Sequence, residues 1–299
     1  MITRRTFLRG LTGALALGAT TGIYSVAIEP RFRLSLPRWT VEHASWPAAM
    51  APLRVAVLTD IHAVEPWMPS SRIGNIVDVA NALEPDLIVL LGDYVASVHK
   101  FRTGLVPIGE WTKPLGRLRA PLGVYAILGN HDWWDDVRGV RSGLHDAGIP
   151  VLENKAVKIN RQGWRFWLAG LGDQLAKPLG RFRFRGADDL DGTLRQTMGD
   201  TDPVILMAHE PDIFVRVPPR VTLTLAGHTH GGQVWLPFAG RPVIPSRHGN
   251  RFAYGHIVEG GRNMIVSAGL GVTGLPVRFM VPPEVALVTL AAPGVVVTS

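Results

Sequence analysis

The sequence predicts an α/β domain whose site lies outside the carboxyl ends of its strands. Two observations carry that reading. Short apolar, β-branched runs alternate with a segment of helical periodicity, and each run stops abruptly at Asp, Asn or His. A third observation narrows the chemistry: the 299 residues contain no cysteine, so any metal must sit on imidazole, carboxylate or amide groups.

The chain opens with an address. Thr3-Arg4-Arg5-Thr6-Phe7-Leu8-Arg9 precedes an uncharged run from Gly10 to Ile28 rich in Gly, Ala and Thr. This resembles a twin-arginine export signal, which implies export by the twin-arginine translocase, with Ser25-Val26-Ala27 as a small-x-small cleavage site. The run also approaches the roughly 20 residues that span a bilayer, so residues 1–29 are read as a signal or an uncleaved membrane anchor. Either leaves the protein periplasmic or on the outer face of the cytoplasmic membrane. Residues 30–52 read as an irregular lead-in, because Pro37, Pro47 and Pro52 oppose regular structure, and residues 53–299 as the catalytic domain.

Within that domain, Leu53 to Thr59 is a buried strand ending in Asp60-Ile61-His62. Apolar positions at Ile73, Ile76, Val77, Ala80 and Leu83 predict a helix over Arg72 to Leu83, with Ser70 or Ser71 as its N-cap and Pro85 beyond its end. Strands follow at Asp86 to Leu91, running into Gly92-Asp93, and at Gly123 to Leu128, running into Gly129-Asn130-His131-Asp132. Val151 to Leu171 reads as a hairpin turning near Arg161-Gln162-Gly163. Two more strands, Pro203 to Ala208 and Val221 to Ala226, end at His209 and at Gly227-His228-Thr229-His230. Candidate strands at Asn263 to Ser267 and Glu284 to Leu290 make the C-terminal stretch β-rich.

Charge argues against a nucleic-acid partner. The formal net charge is +7, yet residues 1–38 hold six arginines and one acid, leaving 25 basic and 23 acidic residues elsewhere. A nearly neutral body lacks the basic footprint that phosphate backbones demand.

Five strand ends thus supply Asp60, His62, Asp93, Asn130, His131, His209, His228 and His230. Each pair alone is equally a turn or a helix cap. Together, in order and each closing an apolar run, they form an oxygen and imidazole set suited to Mn, Zn or Fe, and a shared carboxylate such as Asp93 suits a two-metal phosphoryl-transfer site.

The series Asp60-x-His62, Gly92-Asp93, Gly129-Asn130-His131-Asp132, His209 and Gly227-His228-Thr229-His230 resembles the calcineurin-like metallophosphoesterase superfamily. Gly92-Asp93-Tyr94-Val95, Ala208-His209-Glu210-Pro211-Asp212 and the tail Gly274-Leu275-Pro276-Val277-Arg278-Phe279 are similar to its exported or membrane-associated bacterial branch of the YkuE/YaeI type. The resemblance implies a four-layer αββα sandwich with a dinuclear site at the strand ends. It implies one divalent ion on Asp60, His62 and His230, a second on Asn130, His209 and His228, and Asp93 bridging them. It also implies a metal-bridging hydroxide as nucleophile for in-line attack, His131 stabilising charge or protonating the leaving group, and Asp132 orienting His131. The substrate class left open is a phosphodiester, a monoester or the pyrophosphate of a lipid-linked nucleotide sugar, with cell-envelope and lipid phosphates favoured by export. A metal-binding scaffold of the same fold without turnover is the alternative.

The family branch with a tyrosinate ligand is not matched, since the tyrosine here directly follows Asp93; Tyr94 is read as packing and Thr229 as a turn residue. His43, His99, His145, His248 and His256 fall outside every block, with His248 in a glycine-containing loop that could border the cleft. Trp133 and Trp134 divide evenly between core packing and an apolar wall for substrate. Arg247, Arg251 and Arg278 are candidate phosphate grips.

Overall fold

A computed structural model describes residues 3–96, 104–180 and 183–295. His99 lies outside them. Two sheets face each other. The first has five strands in the order β1 (Arg38–Glu42), β13 (Ala286–Ala291), β2 (Leu53–Leu58), β3 (Leu87–Leu90) and β4 (Val124–Ala126). The second has six: β11 (Gly255–Glu259), β12 (Arg262–Val266), β10 (Leu223–Ala226), β9 (Val204–Met207), β6 (Trp164–Gly170) and β5 (Lys155–Arg161). A separate hairpin, β7 (Lys177–Gly180) with β8 (Arg183–Arg185), stands outside both.

The period-2 alternation of side chains sorts each strand between two cores. Val55, Val57, Leu87, Val89, Ala286 and Val288 meet Phe166, Leu168, Ile205, Met207, Leu225 and Ile265 between the sheets. From the same strands Ala56, Leu58, Ile88 and Leu90 point the other way. They pack on α3 (Ser70–Ala82), α4 (Ile108–Leu115) and α6 (Val137–Asp146). The outer face of the second sheet, with Val204, Leu206, Met264 and Val266, is covered by α7 (Leu190–Arg195) and the 3-10 turn Pro211–Arg216. The result is the expected four-layer sandwich.

The predicted strands form within one or two residues of their expected ends, and the hairpin turns at Gln162 and Gly163, both with positive φ as a two-residue turn requires. The helix begins earlier than expected, at Ser70, and neither serine caps it. Pro69 holds the N-cap position, and Ser70 Oγ instead donates to the Glu110 carbonyl at 2.6 Å. The segment read as an irregular lead-in contains β1, which pairs in parallel with β13 from Arg38–Leu287 to Glu42–Ala291. Its prolines flank the strand rather than interrupt it.

The N-terminal helix α1 (Arg4–Ile23) projects with nearly all of its described side chains exposed, then continues through a π turn (Tyr24–Ile28) into α2 (Glu29–Phe32). Its base is docked. Arg278 N donates to the Ser25 carbonyl at 2.9 Å, Trp67 Nε1 to the Val26 carbonyl at 2.9 Å, and Met280 N and Val281 N to the buried Glu29 carboxylate at 3.0 and 2.7 Å.

Candidate metal centre

Because β2, β3 and β4 run parallel, as do β9 and β10, their carboxyl ends open at one edge of the sandwich. Asp60 and His62 follow β2, Asp93 follows β3, and Asn130 opens α5 (Asn130–Trp134) after β4. His209 follows β9, and His228 and His230 follow β10. All seven expected ligands are brought together; His228 is partly buried, the other six fully. Asp60, His62, Asp93, His228 and His230 each have φ between 44° and 66°. Such left-handed backbone costs roughly 1–2 kcal/mol per non-glycine residue and persists where the surroundings enforce it. Here it turns successive side chains inward.

The distances define overlapping clusters. His230 Nε2 lies 3.3 Å from Asp60 Oδ1, and His62 Nε2 lies 3.1 Å from His230 Nε2. Asp93 Oδ2 is 3.5 Å from His62 Nε2, 3.3 Å from His209 Nε2 and 4.0 Å from His131 Nε2. Ligand atoms of Asp60, His62 and His230 fall within 4.8 Å of one another, as do those of Asp93, His209 and His228, and of His62, Asp93 and His131. Asp93 therefore belongs to both sides of the site. His62 and His209 direct Nδ1 at the Val95 and Leu91 carbonyls, at 3.0 and 2.7 Å, so each Nδ1–H donates outward and each Nε2 faces the cluster.

These groups fit divalent cations. Asp60 Oδ1, Asn130 Oδ1 and His209 Nε2 are buried without a hydrogen-bond partner among the described residues. Each stranded polar atom costs about 1–3 kcal/mol unless something such as an ion satisfies it. Burial pushes His62 down to about 3, keeping it neutral and ligand-ready, and lowers His228 as well. Burial likewise opposes charge on His209, but Asp93 outweighs it and holds the imidazolium well above the usual histidine range. Burial also acts against the Asp60 carboxylate, yet the neighbouring His230 and His209 keep it ionised.

Glycine permits the close approach. A Cβ on Gly129 would stand 2.3 Å from Asp93 Oδ1 and 2.7 Å from His209 Cε1, so no larger residue passes between the Asp93 carboxylate and that ring.

His131 sits at the mouth, its ring 4.8 Å from that of His62 and 5.1 Å from Trp134, with Thr273 Oγ1 at 3.4 Å from Nε2. Its backbone N donates to Asp93 Oδ1 at 2.8 Å. Asp132 serves a different end from the expected orienting of His131. Its Oδ1 accepts from Tyr94 N and Val95 N and its Oδ2 from Asp93 N and Gly129 N, at 2.8 to 3.2 Å, so it positions the loop that carries Asp93. Burial and Asp93 push Asp132 up to about 7, while the backbone donors pull it back. The sequence order Asn-His-Asp gives no hint which neighbour the carboxylate meets.

The centre opens into a cleft of about 750 Å³. The two tryptophans part company: Trp133 donates to Glu153 and lies under Arg141, whereas Trp134 stacks on Phe184 with ring centroids 5.5 Å apart and forms the cleft wall. His248 and Arg247 line the cleft. Arg251 does not; its guanidinium is held by Glu259 at 2.6 and 2.7 Å. Arg278 is fully buried and donates to the carbonyls of Ala268, Gly269, Gly271 and Val281, so it braces a loop and cannot meet substrate. Tyr94 packs as expected, stacked on Trp111 with its hydroxyl donating to the Ile127 carbonyl, and Thr229 caps its turn by accepting from Gly231 N.

Sequence reasoning missed Phe184, Gln174, Thr273 and the pair Asp173 and Glu210. Asp173 and Glu210 are buried beside His209, with Asp173 Oδ2 and Glu210 Oε1 unpartnered among the described residues; burial and Glu210 raise Asp173 well above the carboxylate range. Glu210 stands inside the Ala208-His209-Glu210-Pro211-Asp212 block but was read only as flanking sequence, and the segments of Phe184, Gln174, Thr273 and Asp173 carry no motif signal, because loops and a short hairpin fold them in from distant parts of the chain.

A profile of calcineurin-like phosphoesterases matches residues 53–232, a stretch that contains all seven clustered candidate ligands. The chain belongs to that family. It is 32% identical over 298 residues to an uncharacterized metallophosphoesterase, YkuE, of Bacillus subtilis, covering 97% of this chain and 98% of that one. It is 30% identical over 296 residues to the phosphodiesterase YaeI of Escherichia coli, covering 97% and 100%. A transmembrane protein with metallophosphoesterase domain from Danio rerio is 32% identical over 82% of this chain, which spans 54% of that longer protein. Among solved structures, a 5'-nucleotidase precursor from Thermus thermophilus is similar at TM-score 0.48 and 14% identity, over 81% of this chain and 55% of that one. This protein is a metal-dependent phosphoric ester hydrolase.

Proposed function

We propose a dinuclear phosphoesterase held on the outer face of the cytoplasmic membrane, acting on a cell-envelope or lipid phosphoester. The observation that carries the two-metal reading is Asp93, whose Oδ2 is within 3.5 Å of both His62 Nε2 and His209 Nε2, one on each side. Asp60, His62 and His230 would hold one cation and Asn130, His209 and His228 the other. Mn, Zn or Fe in these positions supplies a deprotonated water near neutral pH and neutralises phosphate charge.

The chain's own groups do the rest. His131, partly exposed and turned into the cleft, donates a hydrogen bond or a proton to the departing oxygen. Trp134, Phe184 and Leu175 give an apolar substituent a surface beside that oxygen, and Arg216 and Arg247 hold positive charge across the cleft. Asp132 keeps the Asp93 loop in register.

The N-terminal helix supports this location. The uncharged run from Gly10 to Ile28, within the helical stretch Arg4–Phe32, approaches the roughly 20 residues that cross the hydrocarbon core of a bilayer. Arg4, Arg5 and Arg9 precede the apolar run, and positive charge stays on the cytoplasmic side, which supports a domain on the outer face. Delivery would use the twin-arginine translocase, which the Arg4-Arg5 pair resembles a substrate for.

The test is hydrolysis of bis-p-nitrophenyl phosphate and p-nitrophenyl phosphate by chelator-stripped protein after separate additions of Mn, Zn, Fe and Mg, with His131→Ala beside it. Turnover restored by metal and lost in the variant supports the mechanism, and the diester to monoester ratio narrows the substrate. Stoichiometric metal binding without turnover on these or on vesicle phospholipid would instead favour a scaffold.

A further inference from the structure

The base of the N-terminal helix is surrounded by apolar side chains that no part of the described chain covers. Phe32, Leu36, Phe238, Val243, Leu275 and Met280 are all exposed, Phe238 completely so. They come from four separate segments that hydrogen bonds gather onto one face. Met280 and Val281 are tied to Glu29 of the helix base. Phe279 exchanges backbone hydrogen bonds with Gln233 and Trp235 at 2.9 Å each, and Leu236 N donates to the Gly240 carbonyl to close the loop with Phe238 at its tip. Gln233 Nε2 donates to the Leu275 carbonyl at 3.2 Å. Leu36, Arg241 and Met280 line a single cleft.

Cationic groups stand among them. Arg31 lies over the Phe32 ring at 5.2 Å, and Arg33 is exposed beside it. Arg241 lies over the Tyr254 ring at 5.5 Å beside Leu36 and Met280. An apolar rim mixed with guanidinium groups matches the boundary between acyl chains and anionic headgroups.

We infer that this face beds into an anionic phospholipid bilayer around an uncleaved helix and opens the catalytic cleft onto the headgroup layer. The inference rests on the membrane-anchor reading above. Two facts extend it beyond anchoring. First, Ser25 and Val26 of the small-x-small site are hydrogen-bonded to the domain, so a cut after Ala27 would remove residues that the fold uses. Second, the loops that line the cleft with Ile244 and Thr273 carry Val243 and Leu275 on the rim, one and two residues away. A phosphoester anchored by acyl chains then reaches the metal centre without leaving the bilayer.

The absence of cysteine makes the test clean. Full-length Phe238→Cys, Leu275→Cys, Leu15→Cys and Met198→Cys proteins are each labelled with an environment-sensitive fluorophore. They are reconstituted into vesicles of equal phosphatidylglycerol and phosphatidylethanolamine carrying nitroxide lipids. Labels at 238 and 275 are expected to shift to the blue and to be quenched at least two-fold more than the label at exposed position 198 by a nitroxide near the headgroup. The shift is expected to shrink when phosphatidylcholine replaces phosphatidylglycerol. Labels at 238 and 275 as aqueous as 198, with 15 quenched by a deep nitroxide, would overturn the docking face and leave the anchor standing. An unquenched label at 15, or loss of the N-terminal segment by intact mass, would overturn both.

Discussion

Replacing Asp132 by Asn separates a structural carboxylate from a catalytic one. The side chain is fully buried and each oxygen accepts two backbone N–H groups. Four donors favour the ionised carboxylate, against the burial and the Asp93 charge that push the group up to about 7. An amide keeps one oxygen and presents an NH2 to the other two donors, stranding two buried N–H groups at about 1–3 kcal/mol each. The expected loss is about 2–6 kcal/mol, a large part of the roughly 5–15 kcal/mol that stabilises a domain. The strain falls on Asp93, Tyr94 and Val95, so metal affinity should fall with stability. The assay is chemical denaturation of the metal-free protein together with metal titration and steady-state kinetics. A variant that unfolds at the wild-type midpoint, binds metal normally and loses only kcat would refute the reasoning and return Asp132 to the role of orienting His131.

Three further outcomes are expected. Asp93→Asn removes the shared carboxylate, so metal content by plasma mass spectrometry should fall by at least half; full occupancy would show that Asp93 does not bridge. Asp93 holds a proton on His209 Nε2 well above the usual histidine range, so near pH 7 a metal must displace it. Calorimetry in buffers of different ionisation enthalpy should register proton release, and affinity should weaken as pH falls; binding without proton release would place His209 neutral before loading. Trp134→Ala removes an aromatic surface worth about 0.5–1.5 kcal/mol, so KM for aryl phosphodiesters should rise roughly 2- to 10-fold with kcat little changed. A fall in kcat at constant KM would mean that Trp134 acts by supporting His131.

The strands and the candidate metal ligands were legible because both obey local rules. A buried strand must be apolar along its length, and the polar residue that ends it is visible in Leu90-Leu91-Gly92-Asp93 as plainly as in the fold. The same logic read the Gln162-Gly163 turn, where two residues of positive φ join antiparallel strands. Partnership was not legible. Arg247, Arg251 and Arg278 are alike as letters, yet one lines the cleft, one is held by Glu259 and one is buried among carbonyls, because each meets what distant segments bring to it. Trp133 and Trp134 diverge because successive residues of a helix face about 100° apart. β1 escaped notice since its partner, β13, lies nearly 250 residues away and no local pattern announces a parallel pairing at that distance. Sequence alone therefore determined which chemistry this chain carries, through residue types at strand ends. Tertiary structure decided which carboxylate stands between the two histidine clusters, which holds a loop, and that the tail bearing Arg278 joins the candidate metal centre to the helix base, because those are contacts between segments whose separation along the chain says nothing of their distance in space.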